Sequence, residues 1–131
     1  MNRRTTPEAD AQRAIVQALR FAMPRDSIVH HCANEVTESG SRGQIRQSIL
    51  VGLGVHAGFA DLIVISGGRV LFLEVKSETG RLRKSQEVFR DTVCAQGFGW
   101  ALVRSVDDAL AALADNGFTS RVRSPARRVA P

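Results

Sequence analysis

The chain has 131 residues, 44% hydrophobic and 24% charged, with a formal net charge of +5. This balance fits one soluble globular domain and excludes a disordered, collagen-like or membrane-spanning chain, since no apolar run approaches the roughly 18 residues a bilayer needs. The opening MNRRTTPEAD lacks the apolar core of a secretory signal, and two cysteines are too few for a disulfide framework, so a cytoplasmic protein is expected. The stretch from Thr119 to Pro131 holds four arginines and no acid, which accounts for most of the excess charge and leaves the body nearly neutral. Lys76 and Lys84 are the only lysines among 18 basic residues.

In chain order, Pro7 to Ala22 reads as a first helix, with Thr6 as N-cap, Pro7 in the first turn and Glu8 and Asp10 at the positive end of the dipole. Ile15, Val16 and Leu19 give it an apolar stripe. Ser27 to Val36 alternates weakly and predicts a strand. Thr37 to Phe59 carries several glycines with Arg42 and Arg46; it is long for a connection and reads as a binding loop, with room for a short helix near Gln44 to Leu53. Ala60 to Ser66 and Arg69 to Ser77 are β-rich runs joined by Gly67-Gly68, a tight hairpin. Their continuous cores, LIVI and VLFL, predict strands covered on both faces. Arg83 to Gln96 is expected to be helical and to stop at Gly97. Gly99 to Arg104 is a fourth strand, and Val106 to Asn116 a last helix, capped by Ser105 and ended by Gly117. The expected order is αβββαβα, an α/β fold in which helices flank a mixed sheet. Residues 1–118 form the domain, and 119–131 read as a disordered basic tail.

The hairpin brings chemistry together. With Gly67 and Gly68 as the loop, Ser66 faces Arg69 and Asp61 faces Glu74, while Lys76 points to the same side as Glu74. Opposed like charges on neighbouring strands destabilise a sheet. Two readings offset the repulsion: a salt bridge at a strand end, or a divalent cation held by the carboxylates. Three details favour the cation. The acids sit within apolar runs, lysine is used in a chain that otherwise uses arginine, and a lysine beside a metal can orient or deprotonate a water. Oxygen ligands suit Mg²⁺, with Mn²⁺ as substitute, rather than zinc.

Glu8 and Gln12 on the first helix are followed by Gly54-Val55-His56-Ala57-Gly58-Phe59-Ala60-Asp61-Leu62, then Glu74-Val75-Lys76, Gly80 and Gln86. This ordered set, spanning Glu8 to about Leu113, resembles the VRR-NUC (virus-type replication-repair nuclease) branch of the PD-(D/E)XK nuclease superfamily. Ala60 stands where that family commonly has Pro, and Arg83 where Ser often caps the next helix; neither position supplies a ligand. The resemblance implies a restriction-endonuclease-like fold and a Mg²⁺-dependent DNA endonuclease that selects branched or Holliday-junction structure rather than sequence. It further implies that Asp61, Glu74 and the Val75 carbonyl hold the metal and that Lys76 activates the attacking water. Glu8 is either a further ligand or a first-turn acid on the helix dipole. Gln86 either caps its helix or orders Lys76 or a phosphate. Arg81, Arg83 and Lys84 border the expected site, and with Arg42 and Arg46 they fit contacts to DNA phosphates. A homodimer with two sites is expected for cutting both strands of a junction, with no membrane and no small-molecule cofactor involved. Two rivals are a catalytically silent nucleic-acid-binding module and a nuclease subunit that works only within a larger assembly.

His30-His31-Cys32 lacks a second ligand pair at zinc-site spacing, and neighbouring strand residues point to opposite faces. Cys94 and Val88 are placed with Phe89 and Val93 in a buried helix stripe, and Trp100 in sheet packing. Gly52 and Gly54 lack the helix and lysine of a phosphate loop.

Overall fold

A computed structural model describes residues 6–33 and 40–122. It shows a mixed four-stranded sheet with four helices, in the order α1 (Pro7–Ala22), β1 (Ile28–His31), α2 (Gly40–Gly52), β2 (Leu62–Ser66), β3 (Arg69–Val75), α3 (Lys84–Ala95), β4 (Gly99–Val103) and α4 (Val106–Asp115). The strands lie in sequence order across the sheet. The β1–β2 and β2–β3 pairs are antiparallel, and α3 carries the chain back so that β4 lies parallel to β3. The observed order, αβαββαβα, departs from the expected αβββαβα by the helix α2. The residues read as a long loop with at most a short helix form thirteen residues of helix. The predicted strand beyond Cys32 extends into residues 34–36, which lie outside the described residues.

The hairpin register matches the sequence reading: Ser66 pairs with Arg69 and Leu62 with Leu73. Gly67 and Gly68 both have positive φ, +58° and +75°, the backbone that a two-residue turn needs to follow the twist of its strands. From this turn the side chains alternate. Leu62, Val64, Leu71, Leu73 and Val75 enter the main core with Ile15, Leu19 and Met23 near α1, and with Ala109, Ala112 and Leu113 of α4. The opposite face carries a smaller cluster in which Ala60, Phe89 and Val93 are joined by Phe59, Phe72 and Trp100. Phe59, Phe72 and Phe89 meet with ring centroids 4.7–5.6 Å apart.

That second face is only partly covered, contrary to the continuous apolar runs. Ile65 and its neighbour across β1, Ile28, are exposed, as is Phe98 at the start of β4. Cys94 and Val88 are also exposed, which corrects their placement in the core. At 100° per residue, Cys94 lies well round the helix from Phe89, and the buried stripe is set by Phe89 and Val93, four apart. The body also extends past residue 118. Arg121 donates its backbone N–H to the Ala22 carbonyl at 2.7 Å, and its guanidinium reaches the Met23 carbonyl at 3.3 Å. It thereby satisfies carbonyls at the end of α1. Residues 123–131 lie outside the described residues. No helix among the described residues is long and apolar enough to cross a membrane.

Candidate functional site

The three ionisable residues singled out at the hairpin are its only buried charged side chains among the described residues: Asp61 is 2% exposed, Glu74 1% and Lys76 7%. Asp61 lies one position before Leu62, whose partner is Leu73, so it comes level with Glu74 at the open end of the hairpin. One carboxylate oxygen, Oδ2, accepts the Val75 N–H at 2.8 Å. The Asp61 carbonyl accepts the Cys32 N–H at 2.8 Å, which ties this residue to the end of β1. Burial, and then the Asp61 carboxylate, push the Cys32 thiol pKa up, because both disfavour a thiolate there.

Lys76 Nζ stands 3.8 Å from Glu74 Oε1. The same oxygen accepts from Gln86 Nε2 at 2.9 Å, and Gln86 Oε1 accepts the Arg83 N–H at 2.8 Å. Gln86 therefore caps its helix, and its second contact is to Glu74. It satisfies a donor at the start of α3, one half of a capping box. Its other end orients Glu74 rather than Lys76. The amide has two chemically different ends, so the capping bond fixes which end faces the carboxylate.

Gly58 seats the segment leading to Asp61 against this first turn of α3. It has φ +77°, and a Cβ there would stand 2.1 Å from the Ser85 carbonyl oxygen and 2.8 Å from the Gln86 nitrogen. On the other side of the site, Arg104 holds the turn after Lys76. Its Nη1 donates to the carbonyls of Ser77, Glu78 and Gly80, at 3.2 Å and 2.8 Å for the last two. Arg104 was not recognisable as a site-shaping residue, since its partners lie 24–27 residues upstream and only the β3–β4 crossover unites them. Arg104→Met keeps the apolar stem and removes the donors. Bonds to a charged donor contribute roughly 2 kcal/mol, so amide exchange across residues 77–80 should rise about 30-fold with the core protected as before. Exchange measured by mass spectrometry checks this, and an unchanged rate would mean the turn holds itself.

Two of the buried trio, Asp61 and Lys76, border a cavity of about 1070 Å³. Asp61 and Lys76 line it together with Glu8 and Gln12 from α1, Arg83 and Gln86 at the start of α3, and His31 and His56. Glu8 is thus brought to the same space as Asp61, half-buried rather than freely solvated. Val75 is buried in the main core, with its backbone N–H bonded to Asp61. Arg81 and Lys84 are exposed near the mouth in sequence but do not line the cavity. Arg42 and Arg46 are exposed on α2, whose cavity-facing residues are Gly40, Gly43, Gln44, Gln47 and Ser48. By helical geometry the two arginines lie on the far side of that helix. Gln44 and Gln47 were missed by the sequence reading; their three-residue spacing carries a signal only once the segment is known to be helical. Among the described residues, no three His, Cys, Asp or Glu side chains gather as a metal cluster. No protein-family model and no curated protein matches the chain.

Proposed function

We propose that this chain is a divalent-metal-dependent nuclease of the VRR-NUC type with a restriction-endonuclease-like fold, hydrolysing phosphodiester bonds in DNA of branched structure. The observation that carries the reading is the burial of two carboxylates and one ammonium at the open end of the hairpin, where Asp61 and Lys76 line a polar cavity and Glu74 is bonded to Gln86 in its wall. Buried charges are expensive unless compensated, and a cation would add compensation where two carboxylates are buried side by side. Hard oxygen donors of this kind suit Mg²⁺ or Mn²⁺, and Mg²⁺ is commonly held by one or two carboxylates, with water and substrate phosphate completing its shell. The donor set therefore fits the ion without a third acidic ligand. Asp61 and Glu74 would hold it, with the Val75 carbonyl and Glu8 as the further candidates. When bound, the cation supplies charge stabilisation at a phosphate under attack.

The remaining work falls to the chain itself. Gln86 keeps the Glu74 carboxylate in one orientation, and the Val75 N–H does the same for Asp61. Lys76 presents a compact ammonium to the cavity, able to orient an attacking water and to steady the charge that builds on the phosphoryl oxygens. Arg83, at the cavity wall, and Arg81 and Lys84 beyond it offer positive charge to flanking phosphates, contacts that hold a backbone without reading bases. A homodimer presenting two such sites would match the two strands of a junction. The alternative is a silent module that binds DNA without cutting.

Calorimetric titration with Mn²⁺ separates the two. The wild-type chain should bind the ion, with affinity lowered at least 10-fold in Asp61→Asn, which keeps the side-chain shape and loses the charge. Equal heats for both proteins would remove the cation from this site.

A further inference from the structure

The cavity has two chemically different walls. One holds Asp61, Lys76 and Arg83; another is α2, the one element without an extensive packing partner among the described residues. The inward side of α2 carries no charge. It consists of Gly40 and Gly43, which project no side chain, and of Gln44, Gln47 and Ser48. Ser48 spends its hydroxyl proton on the Gln44 carbonyl at 2.9 Å. The amides of Gln44 and Gln47, and that of Gln12 across the cavity, take part in no side-chain hydrogen bond among the described residues.

A wall built for phosphates would carry Arg or Lys, and α2 has two arginines, Arg42 and Arg46, on its other side. Side-chain amides instead offer a donor and an acceptor together, the pattern that matches the edge of a nucleobase. A base within a duplex has its Watson–Crick edge occupied by its partner and is held in the stack. An unpaired nucleotide has neither restriction. The volume of about 1070 Å³ accommodates a nucleotide with its neighbouring phosphate.

We propose that α2 forms a nucleobase subsite, in which an unpaired nucleotide adjoining the reacting phosphate is held through its base by Gln44, Gln47 and Gln12. This rests on the nuclease reading and narrows its substrate to strands with an unpaired nucleotide at the cut: flaps, junction points and single strands rather than closed duplex.

The test is equilibrium binding, by fluorescence anisotropy without divalent metal, of a labelled single-stranded 12-mer and its blunt duplex. The full chain is compared with the Gln44→Ala, Gln47→Ala double variant, whose changes lie on partly or fully exposed positions. Affinity for the single strand should fall about 10-fold relative to duplex affinity, and an abasic residue in the oligonucleotide should reduce the wild-type advantage similarly. An unchanged ratio of single-strand to duplex affinity overturns the subsite. If Asp61-dependent cleavage persists alongside that unchanged ratio, the subsite falls and the nuclease reading stands. If the wild-type chain neither binds nor cuts either DNA, both fall together.

Discussion

Gly58→Ala is expected to lower the unfolding midpoint by roughly 10–20 °C. Two effects combine. At φ +77° an L side chain is strained, and the new Cβ would stand 2.1 Å from a backbone oxygen and 2.3 Å from a backbone carbon of Ser85. Neither atom belongs to a flexible side chain, so relief requires the first turn of α3 or the segment before Asp61 to move. Strain and overpacking together come to about 3–5 kcal/mol, a large share of a typical domain stability. Gly52→Ala is the control. Its Cβ would meet nothing within 4 Å and φ is ordinary, so the helix end should gain slightly. Thermal unfolding followed by circular dichroism reads both. A Gly58→Ala midpoint within about 2 °C of wild type would mean the segment does not rest on α3 as described.

Movement there has a chemical consequence. The turn against which Gly58 rests holds Gln86, and Gln86 holds Glu74. Three residues beyond Gly58 stands Asp61. A displaced loop changes the spacing of the two carboxylates even if the protein still folds.

Lys76→Arg carries the second large effect, this time on rate. The change keeps the positive charge beside Glu74, so the buried acid is not abandoned. What is lost is the compact ammonium. The broader, planar guanidinium is not a point charge and cannot present the same three donors from one nitrogen. Loss of a positioned proton-handling group typically costs about 10²–10⁴ in rate, and kcat should fall within that range with DNA affinity within about threefold of wild type. Single-turnover cleavage and binding, measured on the same preparation, separate the two quantities. Full activity in Lys76→Arg would make the residue a charge and nothing more.

What could be read from the sequence followed the range of the interactions. The hairpin was legible because two adjacent glycines fix both the turn and the register, and the register alone brings Asp61, Glu74 and Lys76 to one face. α1 and α4 were legible because their caps, Thr6 and Ser105, and their apolar stripes agree. α2 was not, since Ile45 and Ile49 are exposed while Gln44, Gln47 and Ser48 face the cavity, the reverse of the usual core-seeking pattern. Cover on the second face of the sheet was overestimated at Ile65 because a run such as LIVI looks alike whether a helix reaches all of it or half. The bonds made by Arg104 and Arg121 depend on contacts across the sheet and to the end of α1, which no local pattern encodes.

The central claim is that the buried carboxylate pair serves phosphodiester hydrolysis. It is tested most directly by incubating the chain at about 5 mM Mg²⁺, the level a weak carboxylate site requires, with a labelled four-way junction, flap, duplex and single strand. The account predicts cutting of at least one branched or unpaired substrate by wild type, abolished by chelation and by Asp61→Ala. Cutting that survives in a folded Asp61→Ala protein, or DNA binding by wild type with no cutting of any substrate, would contradict it.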